Sequence, residues 1–114
     1  MITREKIDSA MKELSEKSKE IYGNKLKEVI LFGSCARGDF DNESDVDVMI
    51  LLDIPKESEQ EEGDLIDPVI WSLDEKYEYE LLFAPIIKSD AEFNRWINAV
   101  PFYQNFKREG IRYV

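Results

Sequence analysis

Residues 29–52, VILFGSCARGDFDNESDVDVMILL, carry an apolar run that stops at Gly33-Ser34 and a second that opens on Asp45-Val46-Asp47. Val29 to Phe32 is brief, continuous and ended by glycine, so it reads as a strand buried on both faces rather than as a helix. Residues 45–52 are rich in strand formers and alternate at their start. That alternation puts Asp45 and Asp47 on one face and Val46, Val48 and Ile50 on the other. One face is chemical and the other belongs to the core.

Outward from this pair, Ile7, Ala10, Met11 and Leu14 recur at i, i+3, i+4 and i+7, which predicts an amphipathic helix over 4–21 with Thr3 as its N-cap and Gly23-Asn24 at its end. The acidic stretch from Glu57 to Asp64 reads as a solvated loop or as the first exposed turn of a helix. Asp67-Pro68 reads as N-cap and first position of a helix to about Lys76, with Val69, Ile70 and Leu73 inward. Tyr77 to Ile87 alternates and is aromatic and branched, so it is expected to be the third strand, ending near Pro85. Ser89 and Glu92 form a capping box for a helix with the stripe Phe93, Trp96, Ile97 and Val100, closed by Pro101. The aromatic tail Phe102 to Phe106 is expected to pack on the sheet as a last helical turn, with a contact to a second copy as the alternative.

Composition narrows the chemistry. At 114 residues, one domain over 1–114 is expected. The net charge of −10 argues against a nucleic-acid binder, which needs clustered Lys and Arg. Histidine is absent, so Ser-His and Cys-His nucleophile pairs and most zinc sites are excluded. Acid-base work must fall to carboxylates. Arg4, Glu5 and Asp8 interrupt any signal-peptide pattern, Cys35 is alone, and no apolar run approaches the ~18 residues of a membrane span. A cytoplasmic protein with no membrane association is expected.

Within an extended strand, residues i and i+2 point the same way with α-carbons roughly 6.5–7 Å apart, so Asp45 and Asp47 suit a pair of Mg²⁺ ions spaced ~3.5–4 Å. Gly33, without a β-carbon, lets the backbone approach phosphate oxygens, and Ser34 offers a hydroxyl and an N–H where a helical turn should begin. Arg37 adds positive charge to the same pocket. Each feature also has a purely structural reading. Gly-Ser after a strand is usually a turn, Asp-x-Asp is often a solvated edge, and Arg37 can pair with Asp39 or Asp41. A calcium loop at Asp39-x-Asp41-x-Glu43 fails, since Ser44 and Ile50 stand where glycine and glutamate are needed. Cys35 reads as a small filler.

The combination of strand, Gly33-Ser34, ten residues and Asp45-x-Asp47 resembles the nucleotidyltransferase superfamily of DNA polymerase beta, and in particular its minimal members. Ala36, Arg37, Gly38 and Ser44 are frequent accompaniments of that signature, and the helix and tail pattern extends the likeness over most of the chain. The resemblance implies an α+β fold with a small palm-like mixed sheet flanked by helices. It implies ATP with Mg²⁺ or Mn²⁺, and transfer of a nucleoside monophosphate to a hydroxyl. Gly33, Ser34, Arg37 and Ser44 would then hold nucleotide, and Asp45 and Asp47 the metals. A third carboxylate is usual on the next strand. Glu78 and Glu80 are the candidates, and Glu80 is preferred as a catalytic metal ligand because it lies deeper in the apolar run. Free-standing minimal members are typically antitoxins encoded beside a HEPN-domain ribonuclease toxin, which the better-known ones silence by adenylylating its tyrosine. Two other functions are weighed against this: a catalytically weak antitoxin whose acid-rich surface occludes a basic toxin, and transfer to a small aminoglycoside-like cation.

Overall fold

The computed structural model describes residues 1–114, save the side chain of Lys107. Helix α1 (Arg4–Tyr22) begins where Thr3 accepts the Lys6 N–H on its side chain and ends at Gly23, whose φ of 55° breaks the helical path. Ile7, Ala10, Met11 and Leu14 are buried along its inner face, as their spacing predicts. A single 3₁₀ turn leads to β1 (Leu26–Phe32), and α2 (Ser34–Arg37) is one helical turn set on the end of that strand. After the loop comes β2 (Val46–Leu52). The acidic stretch then forms a 3₁₀ turn and the short helix α3 (Glu59–Asp64), followed by α4 (Asp67–Lys76). Ile66 rather than Asp67 is the N-cap of α4, so Pro68 sits one position further in than expected. Next are β3 (Phe83–Ser89), α5 (Asp90–Trp96), α6 (Pro101–Glu109) and β4 (Ile111–Arg112).

The four strands form a mixed sheet in the order β3-β2-β1-β4. β1 runs antiparallel to β2 and to β4, whereas β2 and β3 are parallel and joined through α3 and α4. Side-chain alternation on the two central strands then builds two cores. Val29, Leu31, Val46, Val48, Ile50 and Leu52 meet the buried residues of α1 and α4 on one face. Ile30, Met49 and Leu51 meet Phe93 of α5 and Phe106 of α6 on the other. Each fully buried side chain of this size stabilises the fold by about 1.5–3 kcal/mol. The second core has few members, so Phe106 carries much of the attachment of α6.

One expectation is corrected here. Residues 77–82 are not strand; they are the unwinding end of α4. The Glu78 N–H donates to Glu75 O at 2.9 Å and the Tyr79 N–H to Asp74 O at 2.8 Å. Glu78 and Tyr79 have left-handed backbone, with φ of 55° and 62°. The alternation Tyr-Glu-Tyr-Glu mimics a strand, but those hydrogen bonds are spent on the helix end, so Glu78 and Glu80 never enter the sheet. β3 begins six residues later than expected and runs through Pro85 to Ser89. As an edge strand, it can take a proline whose missing N–H faces away from the ladder.

Candidate active site

The antiparallel register sets Phe32, the last residue of β1, opposite Asp47 near the start of β2. The chain must then leave β1 beside the Asp47 side chain, and Gly33 does so with φ 73° and ψ −157°. A β-carbon at position 33 would overlap Asp47 Oδ2 and come within 3.3 Å of its Cγ. Glycine is therefore required twice, by backbone angle and by contact. From Gly33 the chain folds at once into α2, with the Ala36 and Arg37 N–H groups both donating to Gly33 O at 3.1 Å. Ser34 and Cys35 open that turn, at positions whose N–H groups have no partner inside a helix.

Hydrogen bonds at three places order the segment between Ser34 and Asp45. Gly38, left-handed at φ 93°, closes α2 by donating to Ser34 O at 2.9 Å. The Ser44 hydroxyl accepts the Asp41 N–H at 3.0 Å while the Ser44 N–H donates to Asp41 O at 3.1 Å. Ser44 is thus engaged in closing the loop. Cys35, fully buried, donates its Sγ–H to Asp45 O at 3.4 Å and ties α2 to the aspartate-bearing segment. Burial pushes the Cys35 thiol up and the Asp47 charge pushes it further, as suits a filler and not a nucleophile.

Asp45 is exposed and Asp47 half-buried. Burial raises the Asp47 carboxyl above the ordinary aspartate value, the neighbouring charge of Asp45 raises it again, and Arg37 partly offsets both. Two carboxylates held at mutual cost, with oxygen the only donor atom, suit a hard divalent cation. Mg²⁺ is commonly held by one or two carboxylates and completes its shell with substrate phosphates and water. The face of β2 that bears Asp47 is chemical only at this end, since Met49 and Leu51 on the same face run into the second core.

Arg37 reaches the same place. Its Nε lies 3.4 Å from Asp39 Oδ2 and its Nη1 3.4 Å from Glu109 Oε2. A cavity of about 190 Å³ lies between the turn after β1 and α6, lined by Gly33, Arg37 and Asp47 together with Phe102, Asn105 and Glu109. Sequence reasoning attached no site role to α6. The signal it could have used is the spacing of Phe102, Phe106 and Glu109 on one helical face.

Glu80 lies elsewhere. Its carboxylate pairs with the amino terminus of Met1 and with Lys6 Nζ at 3.2 Å, and these two positive groups hold it below the usual glutamate range. Among the described residues no three Asp, Glu, Cys or His side chains come together to hold a metal. The structure therefore brings together Gly33, Ser34, Arg37, Asp45 and Asp47, and leaves Glu80 out.

Residues 9–109 match the family profile of the nucleotidyltransferase domain. The chain belongs to the nucleotidyltransferase domain family, and its α+β sheet with Gly33-Ser34 facing Asp47 is the fold of a nucleotidyl-transferring enzyme. Two relatives from Methanocaldococcus jannaschii are each named "putative protein adenylyltransferase". One is 34% identical over 103 residues, covering 90% of this chain and 93% of the relative. The other is 38% identical over 96 residues, covering 82% and 90%. Two solved structures are more distant. A toxin-antitoxin crystallised with AMP-PNP is 15% identical, with a TM-score of 0.48 over 89% of this chain and 70% of that one. A "putative nucleotidyltransferase" from Sulfolobus solfataricus is 18% identical, with a TM-score of 0.49 over 99% and 88%. Among the described residues no helix is long and apolar enough to cross a membrane.

Proposed function

We infer that this protein transfers AMP from MgATP to a hydroxyl of a partner protein, and that the partner is a HEPN-type ribonuclease toxin encoded beside it, modified on tyrosine. The observation that carries the transfer chemistry is the Asp47 carboxylate set against the Cβ-free face of Gly33. The protein acceptor is supported by the names of the two Methanocaldococcus jannaschii relatives. The tyrosine and the toxin are supported by the resemblance to free-standing minimal nucleotidyltransferases. A cytoplasmic setting follows from the same reading.

Asp45 and Asp47 would hold divalent metal, Mg²⁺ or Mn²⁺, and with it the triphosphate. When bound, the metal supplies charge neutralisation at the α-phosphate and at the departing pyrophosphate. The protein's own residues do the rest. Gly33 lets the chain lie close to the phosphates, Ser34 presents its hydroxyl and N–H at the opening of α2, and Arg37 adds a fixed cation. The bond formed joins the α-phosphorus to the acceptor oxygen; the bond broken lies between the α- and β-phosphates, and pyrophosphate leaves. The acceptor hydroxyl gives up its proton to solvent as the new bond forms.

A second reading, neutralisation by binding alone, is favoured by one observation: no third carboxylate joins the aspartate pair among the described residues. Mixing the protein with its neighbouring gene product, with and without MgATP, separates the two. A mass gain of whole AMP units on the partner supports transfer. Tight association that survives EDTA, with no mass gain, supports occlusion.

A further inference from the structure

We propose that the inner face of α6 is the nucleobase seat of this site: the purine of the nucleotide stacks on Phe102, and the Asn105 side-chain amide donates to a ring nitrogen at its edge. The inference deepens the nucleotide reading above and rests on it.

The cavity between α6 and the aspartate strand has two chemically different ends. At one end Arg37 pairs with Glu109 at 3.4 Å, and Gly33 and Asp47 line the same cavity. At the other stands Phe102, seven residues earlier on the helix and therefore about 10 Å along its axis. A nucleotide has the same polarity, with charge at one end and a flat apolar ring at the other. Phosphates at the Arg37 end leave the base at the Phe102 end.

Phe102 is built for such a role and not for the core. It remains 48% exposed while Phe106 beside it is 6% exposed. Its ring is nevertheless fixed, with centroids 6.0 Å from Phe32 and 5.3 Å from Phe106, at interplanar angles of 83° and 82°. A ring held by two near-perpendicular neighbours and half open into a cavity is a ready stacking platform. Asn105, three residues on, shares that helical face. Its Oδ1 accepts from Arg108 Nη2 at 2.8 Å, which orients the amide and leaves the Nδ2 hydrogens to meet acceptor nitrogens such as those on a purine edge.

The test compares binding of MgATP and of magnesium tripolyphosphate, which has phosphates but no base, to the wild type and to Phe102→Leu, Phe102→Trp, Asn105→Ala and Asp47→Asn. Leucine preserves packing on Phe32 and Phe106 while removing the flat ring; tryptophan restores one. The expected result is a loss of about tenfold in ATP affinity for Phe102→Leu, the scale of one base–aromatic stack. Tripolyphosphate binding should be unchanged, and Phe102→Trp should bind ATP as the wild type does. Asn105→Ala should bind ATP more weakly and leave tripolyphosphate alone, whereas Asp47→Asn should lose both ligands. Equal ATP affinity in wild type and Phe102→Leu overturns the base seat, as does an equal loss of both ligands in Phe102→Leu. If the wild type binds neither ligand, the nucleotide reading itself fails and the base seat falls with it.

Discussion

Gly33 and Asp47 are in contact across the β1–β2 pair, so closely that position 33 has no room for a β-carbon. The contact joins a backbone requirement to a chemical one, because the same glycine that turns the chain into α2 also admits the carboxylate of β2. Gly33→Ala should therefore cost stability on the order of 1–3 kcal/mol from the strained backbone alone, with the displaced Asp47 added to it. Gly23→Ala is the control, since Gly23 also has positive φ, at 55°, but its β-carbon would meet nothing within 4 Å. Both variants should melt earlier, and only Gly33→Ala should also lose nucleotide transfer.

Asp47 should make the free protein less stable at neutral pH. Its folded carboxyl titrates above the unfolded value of 3.8, so the folded state holds the proton longer as pH rises. Stability relative to a neutral side chain is therefore intact below that value and is lost as pH climbs through the folded pKa. Asp47→Asn is expected to raise the melting temperature at pH 7 by a few degrees while abolishing transfer, the usual trade between stability and an active carboxylate. The gain should shrink in melts below pH 4, and a gain independent of pH would count against the titration argument.

Glu80 offers a contrasting test. Its carboxylate is committed to the amino terminus and Lys6, and it joins no metal-binding group with the aspartates among the described residues. Glu80→Gln should leave the transfer rate at the wild-type level under the same conditions in which Asp47→Asn is dead. A loss comparable to that of Asp47→Asn would mean that the turn after α4 rearranges to deliver Glu80 to the site.

The attachment of α6 depends on a small core, and Phe106 is its largest contributor from that helix. Phe106→Ala should destabilise the fold by about 3–5 kcal/mol, the cost of emptying a buried phenyl site. Hydrogen exchange should show α6 opening before β1 and β2, because none of its residues belongs to the larger core. Opening of α6 together with β1 and β2 would show instead that the domain unfolds as one unit.

Much of the fold is legible in the sequence, for reasons that differ by segment. The stripe on α1, its Thr3 cap and its glycine stop are local signals read at a fixed period, and the observed helix differs from them by one residue. Gly33-Ser34 and Asp45-x-Asp47 were readable because a turn between two apolar runs leaves few ways to connect them. The end of α4 misled because Glu78 and Tyr79 adopt left-handed backbone without a glycine to announce it, and their alternation copies that of a strand. β4 has two residues, too few for any pattern. The part of α6 in the site depends on residues more than fifty positions apart in sequence, Phe102 and Asn105 with Asp47, lining one cavity, which no window of sequence contains.

The central claim is that the aspartate pair, facing the glycine-serine bend, directs cleavage between the α- and β-phosphates. Incubating the protein and its partner with ATP labelled at the α-phosphate, in parallel with ATP labelled at the γ-phosphate, reads this directly. The expected result is α-label on the partner with the wild type in Mg²⁺, none with Asp47→Asn or in EDTA, and no γ-label under any condition. Undiminished α-label with Asp47→Asn, or γ-label on the partner, would contradict the account.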